Sequence, residues 1–238
     1  MTTIRAVLFD FGGTLFDYET VAAGERESII ELAGWAGIQE DPKTVLRAYR
    51  VALKKVFYDY LSLPYYLHRD LFRDALQAMA ASFGLTFSEE HLSRYREVQQ
   101  QRRERDFVLR NGVRETLAAL RTRGVHVGMV SNVDNDQLTH MLELGQLEPH
   151  FDSILSSEHA QSCKPDPGIF AEALRRAGCT PEAAFFVGDS LQQDIAGANR
   201  TGMRSVLIWS DATRNPPQGE HRPRHVIRHI PEVLTLIP

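Results

Sequence analysis

The chain has 238 residues, 43% of them hydrophobic and 24% charged, with a formal net charge of −4. This is a globular composition with room for a core and an insert, and the charge excludes a nucleic-acid surface built on overall basicity. Two cysteines, Cys163 and Cys179, form no CxxC pair, and no run approaches the ~18 apolar residues of a membrane span, so a cytoplasmic protein without a membrane partner is expected.

The short apolar run in "MTTIRAVLFDF" ends on an aspartate, which argues against an export signal, and its residues 4–9 read as a buried strand. The next clear strand is "VHVGMVS" at 125–131. Between them the pattern is helical. Val45, Tyr49, Leu53, Val56, Phe57 and Tyr60 recur at helical steps, as do Leu71, Phe72, Ala75, Leu76, Met79, Ala80 and Phe83, with Pro64 between the two sets. A third helix runs from about 89 to 105 and turns polar in "QQQRRERD", whose basic end reads as solvated. Residues 18–105 are thus an all-helical insert, dividing a core made of 1–17 and 106–238.

After the insert, strands and helices alternate, which predicts an α/β core with a doubly wound, Rossmann-like parallel sheet. A helix near 112–123 ends at Gly124, and the strand 125–131 follows. The next helix, near 134–144, stops at Gly145, and a short strand lies near 152–155. In "KPDPGIFAEALRRAG", Asp166 is the N-cap, Pro167 the first helical residue and Gly178 the stop. "AAFFVGDS" is a strand entering a turn, followed by a helix to about Thr201 and the strand "RSVLIW". A loop at 210–224, a last strand and a short helix complete the chain.

In open parallel sheets ligands gather at the carboxyl ends of the strands. Asp10 follows the first strand, Ser131 and Asn132 the second, Lys164 lies beyond the third and Asp189 follows the fourth. Their convergence suits one anionic substrate. His221, His225 and His229 lack the spacing of a metal site.

"FDFGGTL", "VSN", "KPDP" and "GDSLQQDIAGA", in that order, resemble the motifs of the haloacid dehalogenase superfamily, most of whose members are phosphatases. The insert matches the position and size of that family's mobile cap. The resemblance implies that Asp10 is a nucleophile forming an aspartyl phosphate and that Lys164 supplies positive charge to it. It also implies Mg²⁺ held by Asp10, Asp189 and the Gly12 carbonyl, with Asp194 orienting the lysine or metal-bound waters. Ser131, Asn132 and the backbone at Gly13 would bind the phosphoryl group. Asn132 alternatively caps the following helix. The substrate would be a small phosphorylated metabolite.

One position departs from the phosphatase pattern. Gly12 stands where those enzymes carry a second aspartate, the acid that protonates the leaving group and later activates water. The family's dehalogenases also lack it, because halide leaves without a proton. A phosphatase built this way favours good leaving groups such as acyl phosphates. The alternatives are a 2-haloacid dehalogenase and a protein that binds a phosphoryl ligand without turnover. Asp17, seven residues after Asp10, is either a hinge residue or a partial replacement for the missing acid. Lys54 and Lys55 lie where phosphonoacetaldehyde hydrolases of the superfamily carry a Schiff-base lysine, but their surroundings do not otherwise match that branch.

Overall fold

The structure, a computed structural model, describes residues 3–209 and 218–237. It divides into two compact units, Met1–Asp17 with Leu109–Pro238, and Tyr18–Val108. The second unit is four helices: α1 (Tyr18–Trp35), α2 (Pro42–Leu61), α3 (His68–Ser82) and α4 (Glu89–Asp106). Asp41 starts α2 by accepting from the Lys43 and Thr44 amides, with Pro42 in the first turn where its missing N–H costs nothing. Ile29, Leu32, Val45, Leu76, Met79, Phe87, Leu92 and Tyr95 form the unit's core. Each such large side chain, fully buried, contributes about 1.5–3 kcal/mol.

Helix α1 was not distinguished as a separate helix by sequence periodicity, and it explains the polar end of α4. Arg102 pairs with Glu31 at 2.5 Å and Glu27 at 3.6 Å, and Arg103 pairs with Glu25 at 3.2 Å. Both arginine side chains are only 17% exposed. Arg102 and Arg103 of the expected solvated basic end therefore form a seam against α1, because α1 presents glutamates along the facing stripe, while Arg105 is exposed as expected. Lys54 and Lys55 are exposed on α2.

The first unit is the predicted doubly wound α/β core. Its strands are β1 (Ala6–Phe9), β2 (His126–Ser131), β3 (Ser153–Ser156), β4 (Ala184–Gly188), β5 (Arg204–Ile208) and β6 (His225–Ile227). They form one parallel sheet in the order β3-β2-β1-β4-β5-β6. Between them lie α5 (Val113–Thr122), α6 (Asn135–Gly145), α7 (Ser157–Ala160), α8 (Pro167–Ala177) and α9 (Ala196–Arg200). Every residue of β1 and β4 is buried, as a sheet covered on both faces requires. From β1 the chain winds first to β2 and β3, then returns to β4 on the other side, so the strand order reverses between β1 and β4. That reversal leaves a crevice at their carboxyl ends.

Helix α8 begins and ends as its sequence predicts: the Asp166 side chain accepts from the Gly168 amide and Gly178 takes φ 60°. Helix α6 differs. Gly145 is its last helical residue, and the left-handed stop is Gln146 at φ 50°. The Leu147 amide bonds back to the Leu142 carbonyl, and fully buried Leu147 anchors this ending, so packing imposes a conformation that glycine usually takes. The segment after β4 is also irregular, a π turn over Leu191–Ile195 running into α9. Of the loop read at 210–224, residues 210–217 lie outside those described.

Candidate active site

Asp10 stands one residue beyond β1, its amide bonded to the Val187 carbonyl of β4 at 2.8 Å. That bond fixes it at the crevice. Lys164 reaches it across 154 residues of sequence: Nζ lies 2.5 Å from Asp10 Oδ1 and 2.7 Å from Asp194 Oδ1. The Lys164 side chain is 1% exposed, so its charge would be costly without these two partners. Burial opposes the charge, but Asp10 and then Asp194 outweigh it and hold the ammonium above its ordinary pKa.

The second Asp10 oxygen accepts the Thr14 hydroxyl at 3.1 Å. Asp194 Oδ2 accepts the Ser190 amide at 2.9 Å, a bond closed by the π turn. Burial pushes the Asp194 carboxyl up to about 6, against Lys164's pull and helped by Asp10. Asp189 is held well above the carboxylate range, first by desolvation and then by the charges of Asp10 and Asp194. Oxygens of Asp10, Asp189 and Asp194 lie within 4.8 Å of one another.

Two glycines make room for these carboxylates. Gly13 has φ +82°, and a Cβ there would overlap the Asp189 carboxylate. A Cβ on Gly188 would overlap Asp194 in the same way.

Asn132 faces Lys164 rather than the carboxylates. Its Oδ1 accepts the Lys164 amide at 2.8 Å and its Nδ2 donates to the Lys164 carbonyl at 3.0 Å. The N-cap position of α6 is instead Asp134, two residues further on. Ser131, at the end of β2, is buried and its Oγ accepts the Val133 amide at 3.3 Å. Gly12 is buried in the turn and bridges to Phe16. Asp17 pairs with Arg110 at 3.0 Å. His225 packs on the Phe185 ring, 5.4 Å between centroids.

Sequence reading assigned no role to Thr14 or Arg110. Thr14 had a local signal, a hydroxyl four residues after Asp10 in the same turn. Arg110 had none, since its partner Gly13 is 97 residues away.

A parallel sheet that gathers a lysine and three carboxylates at its reversal point defines a doubly wound α/β core with a charged site at its crevice. The chain belongs to the haloacid dehalogenase-like hydrolase family, whose pattern it matches over residues 7–208. It is 30% identical to a glyceraldehyde 3-phosphate phosphatase of Methanopyrus kandleri over 211 residues, covering 86% of this chain and 84% of that one. It is 38% identical over 127 residues to haloacid dehalogenase-like hydrolase domain-containing protein 3 of Bos taurus. That match covers 53% of this chain and spans about half the relative's length, 49%. The L-2-haloacid dehalogenase RSc1362 shares the fold with a TM-score of 0.75 at 23% identity, covering 99% of both chains. One fold thus hosts both chemistries, and the site must decide between them.

Proposed function

We propose that this hydrolase removes the phosphoryl group from a small phosphorylated metabolite, with Asp10 as nucleophile and Mg²⁺ as cofactor. The observation that carries the reading is the Lys164 bridge between Asp10 and Asp194 with Asp189 beside it. With all three carboxylates ionised against one ammonium, two negative charges are left over, and the donors are hard oxygens, which suits a divalent magnesium ion. Asp194 already serves Lys164 and the Ser190 amide with its two oxygens. Asp10, Asp189 and the Gly12 carbonyl are therefore the proposed ligands, and Asp194 orients Lys164. When bound, the ion supplies the counter-charge that lets a carboxylate approach an anionic phosphoryl group.

The remaining work falls to side chains. An Asp10 oxygen bonds to phosphorus as the bond to the leaving oxygen breaks, giving an aspartyl phosphate. Water then cleaves that acyl phosphate, freeing Asp10 and inorganic phosphate. Lys164 holds Asp10 aligned through their ion pair, while the Ser131 hydroxyl and the backbone at Gly13 receive phosphoryl oxygens. Asn132, a substrate contact in the sequence reading, is assigned here to holding Lys164 in place. The helical unit is assigned to substrate selection, the task of a cap in this family. Gly12 supplies no proton, so substrates whose leaving group departs as a stable anion, such as acyl phosphates, are favoured.

The test is a screen of alkyl, aryl and acyl phosphates and 2-haloacids with and without Mg²⁺. Phosphate release that needs Mg²⁺ and disappears in Asp10→Asn is the expected result. The absent carboxylate at Gly12 favours one second reading, dehalogenation. Halide release without metal, and no phosphate from any ester, would establish that instead. Binding of Mg²⁺ and a phosphate mimic with a residual rate unchanged in Asp10→Asn would identify a binding protein.

A further inference from the structure

The chain leaves the sheet-bearing unit after Asp17 and re-enters it at Leu109. At that point the two segments are tied to the Asp10 turn. The Arg110 amide bonds to the Leu15 carbonyl at 2.9 Å, and Phe16 bridges both Leu109 and Gly12. The Arg110 side chain goes further. Nε and Nη2 both donate to the Gly13 carbonyl, at 3.2 and 2.9 Å, while Nη1 pairs with Asp17 at 3.0 Å.

Gly13 is the residue in this turn whose backbone takes φ +82°. Without a Cβ, a glycine offers little resistance to rotation of the peptide that follows it. That peptide leads to Thr14, whose hydroxyl holds Asp10 Oδ2. In a planar trans peptide the carbonyl and the next N–H point in opposite directions. Rotation would thus turn the Gly13 oxygen away from Arg110 and redirect the Thr14 N–H, loosening the turn that sets the Thr14 hydroxyl against Asp10. The planar guanidinium fork resists this rotation in a way that a point charge cannot.

We propose that Arg110 is a positioning residue: it acts on Asp10 through Gly13 and Thr14, at the place where both connecting segments meet the unit. The inference rests on the reading of Asp10 as the nucleophile. It assigns Asp17 to orienting Arg110, not to replacing the acid absent at Gly12.

The experiment compares Arg110→Met, Arg110→Lys and Asp17→Asn in the full chain by two measurements. Amide hydrogen exchange over residues 10–17 reports the hold on the turn without any substrate. Steady-state kinetics on acetyl phosphate and 4-nitrophenyl phosphate with Mg²⁺ report its consequence. In R110M, exchange at 10–17 accelerates while the rest of the sheet keeps its protection, and kcat falls by about 10–100-fold with KM little changed. Guanidinium ion added to R110M restores part of kcat, and R110K, lacking the fork, recovers little. D17N changes kcat far less than R110M does. Should R110M fail to fold, R110Q takes its place in the same measurements.

Unchanged exchange at 10–17 in R110M overturns the proposal, as does faster exchange with unchanged kcat. A D17N loss equal to that of R110M, with exchange at 10–17 unchanged in D17N, also overturns it, because Asp17 and not the hold on the turn would then carry the loss. If the wild-type protein turns over no phosphate, the reading of Asp10 falls, and the exchange measurement alone decides whether Arg110 holds the turn.

Discussion

Asn132 binds the backbone of Lys164 on both edges, accepting its N–H at 2.8 Å and donating to its carbonyl at 3.0 Å. The Asn132 carbonyl in turn accepts the Ser157 hydroxyl at 3.0 Å. The ends of β2 and β3 are thereby fastened to the residue whose ammonium bridges Asp10 and Asp194. Asn132→Ala should leave buried peptide groups of Lys164 unpaired and cost about 1–3 kcal/mol of stability. Denaturant titration measures that cost. Turnover should fall with it while KM for a phosphate ester changes less, since Asn132 is assigned to Lys164 and not to the substrate.

Lys164 is the only cation whose contacts reach two of the clustered carboxylates among the described residues. Lys164→Met leaves Asp10 and Asp194 buried without their partner, at an expected cost of about 3–5 kcal/mol near neutral pH. Adding Asp194→Asn should recover part of the stability and none of the turnover. Urea midpoints of the single and double variants check the first statement, and single-turnover assays the second.

Gly13→Ala tests the fit of the carboxylates. Its methyl group would overlap Asp189 and sit on a backbone of φ +82°. Gly84, at φ +73° in the helical unit, has open space where a Cβ would go. Both alanines should incur about 1–2 kcal/mol of left-handed strain. Only Gly13→Ala should also weaken Mg²⁺ binding, as measured by calorimetry.

The raised carboxyls predict the direction of pH dependence in the metal-free protein. Asp194 is pushed up to about 6 and Asp189 well above the ordinary 3.8, so the native state retains protons that the unfolded chain has released. Their contribution to stability is therefore fully present below 3.8 and is lost as pH rises through about 6 for Asp194, and higher for Asp189. Lys164, raised from 10.5, contributes up to the alkaline range and loses that contribution only above it. Melting temperatures in chelator should decline across the first window, less so in Asp194→Asn, and Mg²⁺ should flatten the decline because it binds the ionised carboxylates. A melting temperature that climbs through this window in chelator, equally in both proteins, would contradict the assignment.

Gly12→Asp should restore an acid to the turn. A positioned acid contributes about 10²–10⁴-fold, and most where the leaving group is a poor one. Turnover of alkyl phosphates should therefore rise more than that of aryl or acyl phosphates. An equal gain across the three classes would show that proton supply is not what residue 12 lacks.

The strands, their order in the chain and most of the residues gathered at their carboxyl ends were legible in the sequence. Local chemistry specifies them: apolar β-prone runs end on Asp10, Ser131 and Asp189, and Asp166, Pro167 and Gly178 punctuate α8. What only the tertiary structure decided is pairing across distance. Spacing along the chain does not say that β4 returns to lie beside β1, that Asn132 turns to the Lys164 backbone, or that Arg110 takes the Gly13 carbonyl 97 residues away. Nor does it say that Gln146 accepts the left-handed conformation passed over by Gly145. Each of these follows from closing the core, where buried polar groups must find partners and side-chain volume fixes which backbone each can reach.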